Sequence, residues 1–191
     1  GFKVMGTDAL ELMIPQMAFY KHSFETGQSP FWNPYVADGF PNFVSILGFP
    51  YTPINLFLLF FSPVTVHYWG MFLMLFLAMF FFVLFCRKLG VSVYGSLMGA
   101  LAYLTGNIFF ARDITLATSL FIQTCLFWVI ISIYQVKTKK HLLLLVSFGS
   151  VIVGYAWLTA TYFQTLYVFT TLLAFIVFLC LKSSGGDLAE R

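Results

Sequence analysis

Residues 64–88, VTVHYWGMFLMLFLAMFFFVLFCRK, run for more than twenty positions without a charge and then close on Arg87 and Lys88. A hydrocarbon core about 30 Å thick needs ~20 apolar residues at ~1.5 Å each to cross it as a helix, and this stretch meets that requirement. The whole chain is built the same way: it has 191 residues, is 60% hydrophobic and 9% charged, and has a mean hydropathy of +0.90. A soluble domain of this length cannot hide that much apolar surface in one core, so an integral membrane protein is expected.

The pattern repeats downstream. Spans are expected at about 64–86, 91–110, 114–136, 141–160 and 164–181, the last two joined by a turn marked only by Thr159, Thr161, Gln164 and Thr165. Basic residues set the orientation: Arg87 and Lys88, then Lys137, Lys139 and Lys140, and finally Lys182 fall at alternate span ends, which places those ends in the cytoplasm. The loop NIFFARD at 107–113 and the turn near 161–164 then lie outside, as does the long first segment. The fold class expected is an all-α polytopic transmembrane helical bundle of about five spans, multi-pass in the inner (cell) membrane. Its parts are an extracytoplasmic loop with short and interfacial helices at 1–63, the spans at 64–182 and a cytoplasmic tail or truncated loop at 183–191. Because an external amino-terminal segment feeding an inward-running span implies an earlier crossing, an upstream helix is also expected.

Within the first segment, prolines at 15, 30, 34, 41 and 50 and the acids Asp8, Glu11, Glu25 and Asp38 rule out a crossing. The run YTPINLFLLFFSP at 51–63 is too short to span and is expected as a short helix at the interface. The net charge of +3 gives no reason to expect a nucleic-acid partner, and the lipid bilayer is the partner that composition does imply. Cys86, Cys125 and Cys180 stand singly in apolar runs and are expected as small hydrophobes, with no metal site among them.

Few polar residues offer chemistry. Asp8 and Glu11, three apart, share a helix face and suit a general base or a divalent cation, but the same spacing ahead of an apolar run is also a helix-start signature. Arg112 and Asp113 are the charges of the second outer loop: the arginine suits a phosphate, and equally a local ion pair or lipid head groups. His22 is expected to be solvated and His67 to serve the core or the interface, while Gln123 and Gln164 are placed to bond between helices. Gly95 and Gly99 form a small-xxx-small pair suited to close helix packing, and Tyr155, Trp157, Tyr162 and Tyr167 read as core, lipid contact and interfacial belt.

The first segment carries an ordered set of rarer features: Asp8, then Pro15 and Gln16, then TGQSPFWNPYVADGFP at 26–41, then GFPYTP at 48–53. This set resembles the first extracytoplasmic loop of the GT-C class of polytopic membrane glycosyltransferases, in particular the bacterial YfhO-like branch. In that class an acid is followed by a helix, a G-x-x-P-x-W-N-P turn and a G-x-P turn. Here Gly27, Pro30, Trp32, Asn33, Pro34, Gly39 and Pro41 stand in those places. The resemblance covers roughly the first fifty positions and beyond them extends only to topology and looser details such as TYFQTLY at 161–167.

The resemblance implies transfer of a sugar from a polyprenyl-phosphate-linked donor to a cell-envelope glycan or lipid acceptor at the outer face. Asp8 would be the catalytic base, with Arg112, Glu11 and Asp113 as substrate contacts and the proline-rich turn as their frame. No D-x-D pair is present, so the cofactor stays open, a divalent cation included. Two other readings stand beside it: a non-catalytic scaffold that keeps a GT-C-like shell, and a transporter subunit for a lipid-linked substrate. The transporter predicts charged or broken helices near the midplane, whereas the charges here cluster at span ends.

Overall fold

The structure is a computed structural model that describes residues 13–35, 39–41, 52–108, 114–159, 166, 168–177 and 179. In chain order these form α1 (Ile14–Thr26), a two-residue ladder of β1 (Trp32–Asn33) and β2 (Phe40–Pro41), a 3-10 helix (Pro53–Leu59), α2 (Pro63–Lys88), α3 (Val93–Ile108), α4 (Ile114–Gln135) and α5 (Lys139–Thr159). A further apolar helix, α6, covers Val168–Val177.

Three of these helices, α2, α4 and α5, are long and apolar enough to cross a membrane, which marks a multi-pass membrane protein whose apolar faces meet lipid. Five crossings were expected at these places. The described part of α3 has 16 residues, or about 24 Å at ~1.5 Å per residue, and α6 is shorter still. Both therefore fall short of a full crossing within the described residues. A short helix does form in the 51–63 run, as the 3-10 helix, while the two-residue ladder has no counterpart in the sequence reading.

α4 is the centre of the bundle. Between its ends Ala117, Ile122 and Cys125 are fully enclosed; α2 and α5 pack along it, Phe175 and Thr171 of α6 touch it, and α3 packs chiefly on α2. Aromatic side chains fill the contacts: Phe81 of α2 meets Phe121 and Trp128 of α4, and Trp128 reaches Phe148 of α5. Phe175 of α6 lies edge-on to both Phe85 of α2 and Phe127 of α4. Such tilted pairs add about 0.5–1.5 kcal/mol each beyond the area they bury.

The small residues of α3 work one position away from where their spacing suggested. Gly95 is exposed, whereas Ser96 and Ala100 are fully buried and Gly99 faces the Phe82 ring of α2. Phe82 in turn stacks on Tyr103, with ring centroids 4.8 Å apart.

Two sets of contacts fix which helix ends lie together. Gln135 at the end of α4 donates to the Lys88 carbonyl at the end of α2, 2.9 Å away, so these helices run parallel and finish side by side. Arg87, Lys88, Lys137, Lys139 and Lys140 therefore gather at one end of the bundle. At the other end a Cβ added to Gly70 of α2 would stand 2.5 Å from Ile114 of α4 and 3.1 Å from Ile54 of the 3-10 helix. Thr52 and Tyr155 share a hydrogen bond of 3.2 Å there, which ties α5 to the same end.

Candidate functional site

The candidate site is the loop end of the bundle, and its most completely described part is the proline-rich turn. α1 leads into it. Pro15 sits in the first turn of that helix, where its missing N–H costs nothing, and Gly27 ends it in the left-handed conformation at φ 70°. The reversal brings the chain to two successive X-Pro pairs that use the same device. The side chain of Ser29 accepts from the N–H of Phe31 at 3.3 Å, and that of Asn33 accepts from the N–H of Tyr35 at 3.0 Å. Proline supplies no N–H of its own, so each preceding side chain takes the next one along and closes a local turn.

The G-x-P element returns beside the W-N-P element. Trp32 pairs with Pro41 and Asn33 with Phe40 in the antiparallel ladder, and Asn33 is buried. Gly39 has φ 116°, a region that side chains avoid, and the Trp32 indole lies directly against its Cα, where a Cβ would stand. The two glycine–proline motifs thus hold one another: the second makes room for the tryptophan of the first. Tyr35 packs edge-on to Phe19 of α1, with centroids 6.3 Å apart, which fixes the turn to the helix before it.

α1 is fastened to the membrane-facing part by Lys21. Its Nζ donates to the Leu58 carbonyl, in the last turn of the 3-10 helix, at 3.0 Å and to the Phe61 carbonyl just beyond that helix at 3.3 Å. Glu25 one turn later stands 3.4 Å from the same ammonium. Met17 and Tyr20 of α1 and Leu58 of the 3-10 helix belong to one buried cluster with α2 and α4. Nothing in the sequence pattern pointed to Lys21, because a single lysine on a polar loop carries no spacing signal.

Uncharged polar groups concentrate at this end. Of the 12 buried polar residues among those described, Ser23, Asn33, Thr52, Asn55, His67, Thr115, Thr118 and Ser119 lie in the loop or in the first turns of α2 and α4. His67 is buried, as a core role requires, and meets Tyr68 edge-on. Thr118 and Ser119 donate back along their own helix, to Ile114 at 2.7 Å and Thr115 at 2.9 Å, a bond that lets hydroxyls sit in an apolar bundle at little cost. His22 is exposed, as expected.

Gln123 does bond between helices, and across three of them. Its carbonyl accepts from Tyr103 of α3 at 3.2 Å and its amide donates to Thr171 of α6 at 3.1 Å. Among the described residues no three His, Cys, Asp or Glu side chains come together as a metal site would need. Asp8, Glu11, Asp38, Arg112, Asp113 and Gln164 lie outside the described residues, whereas Gly27, Pro30, Trp32, Asn33, Pro34, Gly39 and Pro41 lie inside them.

Comparison with protein-family models, with curated proteins and with solved structures returned no match.

Proposed function

We propose that the chain serves a GT-C-like membrane glycosyltransferase of the YfhO-like branch, which moves a sugar from a polyprenyl-phosphate donor to an envelope acceptor at the outer face of the membrane. The observation that carries this reading is the mutual fit of the two loop motifs. Trp32 of G-x-x-P-x-W-N-P rests on Gly39 of G-x-P, and Pro41 pairs with Trp32, so residues that resemble the family's first loop in order also make one folded unit.

Its position supports the reading. The turn is fixed through α1 and Lys21 to the end of the bundle opposite the basic cluster, which by the distribution of Lys and Arg is the outer end. A donor whose isoprenoid tail stays in the bilayer reacts at that level. Its chemistry requires an acid to take the proton from the acceptor hydroxyl and a cation to receive the leaving phosphate. Asp8 is the proposed base and Arg112 the proposed phosphate contact, with Glu11 and Asp113 as further proposed substrate contacts. No covalent nucleophile is needed, since the acceptor oxygen attacks the sugar carbon directly.

The test is Asp8→Asn in the protein in its native membrane, read as sugar incorporated into envelope polymer or lipid. Transfer is expected to fall by about 10²–10⁴-fold, the usual contribution of a positioned base. Unchanged transfer at an equal protein level would remove Asp8 from the mechanism.

A further inference from the structure

An apolar groove of about 440 Å³ separates the 3-10 helix from the first turns of α2. Ile54, Phe57 and Phe61 form one wall, and Val66, Trp69 and Leu73 the other. Its single hydroxyl, Thr65 Oγ1, is already engaged with Ser62 Oγ at 2.8 Å. Lys21, beside the end of the 3-10 helix, is occupied too, held by the Leu58 and Phe61 carbonyls and by Glu25. Among the described residues the groove therefore presents a wholly engaged, almost purely apolar lining.

The groove opens onto a face that meets lipid. Trp69, Phe72, Phe76 and Phe80 follow one another at helical spacing along α2, each about half exposed or more, and Trp69 and Leu73 belong to both that face and the groove. On the other side Leu56, Leu59 and Phe60 of the 3-10 segment are exposed as well. A chain lying along the α2 face runs into the groove without leaving an apolar surface.

We propose that this groove seats one acyl chain of a bilayer phospholipid, which wedges the 3-10 helix against α2. An apolar lining that runs into the lipid-facing side of α2 is filled by mass action, and acyl chain is the most abundant hydrocarbon of a bilayer. The seated chain completes the packing of the 3-10 helix, to which Lys21 fastens α1 and the proline-rich turn. This inference is independent of the glycosyltransferase reading.

The experiment reconstitutes the protein in dioleoyl phosphatidylcholine nanodiscs, releases it into mild detergent and counts retained lipid by native mass spectrometry. One phosphatidylcholine is expected to stay with the parent protein and with Phe80→Trp, which changes the lipid face outside the groove. Thr65→Trp and Leu73→Trp fill the groove from opposite ends, and each is expected to lower retention about tenfold or more while circular dichroism stays unchanged. If only one of the two folds, that variant alone decides. No retained lipid on the parent, or equal retention in a folded groove variant, overturns the proposal. So does displacement of the phosphatidylcholine by a polyprenyl phosphate at equal mole fraction.

Discussion

α4 and α5 are both long and apolar enough to span a bilayer, yet 72% of the α4 span is buried inside the protein and 17% of the α5 span. The less apolar of the two is the one left outside. Apolarity therefore marks a helix for the membrane but does not place it within the bundle, because lipid tails are as good a partner for leucine as another helix is. Small and uncharged polar residues place it. α4 carries Thr115, Thr118, Ser119, Gln123, Thr124 and Ser132, all buried, whereas the Leu142–Leu144 run of α5 is exposed. Gln123 is satisfied by Tyr103 and Thr171 of neighbouring helices, whereas Thr118, Ser119 and Thr124 donate to carbonyls of α4 itself and serve by their small size, which lets neighbours pack closely.

Substitutions can break this contrast, and the largest effect belongs to the core of α4. Ile122→Ala removes a fully buried side chain and is expected to cost about 2–5 kcal/mol in a reversible detergent unfolding titration. Next comes Gly70→Leu, which drives a side chain between α2, Ile114 and Ile54, and is expected to cost about 1–3 kcal/mol by the same titration. Gln123→Leu deletes the link from α4 to α3 and α6 and is expected to cost about 0.6 kcal/mol, at most about 1.7, the range found for hydrogen bonds between membrane helices. Leu143→Ala, on the exposed face of α5, is expected to stay within about 0.5 kcal/mol of the parent. A loss at Leu143 as large as that at Ile122 would mean that α5 is covered on that face.

Much of this was legible in the sequence, and the reasons differ by feature. Helix positions followed from apolar run length, so α2, α4 and α5 begin and end within a few residues of expectation. The basic end followed from Arg87, Lys88, Lys137, Lys139 and Lys140, because charge at a span end has one meaning in a bilayer. Which small residue of α3 turns inward did not follow, since spacing fixes a face only up to a rotation of the helix: Ser96 and Ala100 are buried where Gly95 was the expected partner of Gly99.

The loop divides in the same way. Its prolines announced a rigid turn, but the rest of its order is tertiary: the Trp32–Gly39 contact joins residues seven apart, and the Lys21 bond to the Leu58 carbonyl joins residues 37 apart. No local pattern encodes either. Gly39→Val tests the first: at φ 116° with an indole in the way, it is expected to cost about 1–3 kcal/mol locally, read as faster proteolytic cleavage within 27–41 while the span helices keep their circular dichroism.

The most direct test of the whole account asks on which side of the membrane the turn lies. Cys86, Cys125 and Cys180 are replaced by alanine, a single cysteine is placed by Tyr35→Cys or Lys137→Cys, and intact cells are treated with a membrane-impermeant maleimide. Tyr35 is the more exposed end of the proline-rich turn, and Lys137 lies in the basic cluster. Labelling at position 35 in intact cells, with labelling at 137 only after permeabilisation, is the result predicted. The reverse pattern would put the turn in the cytoplasm and contradict a transfer reaction at the outer face.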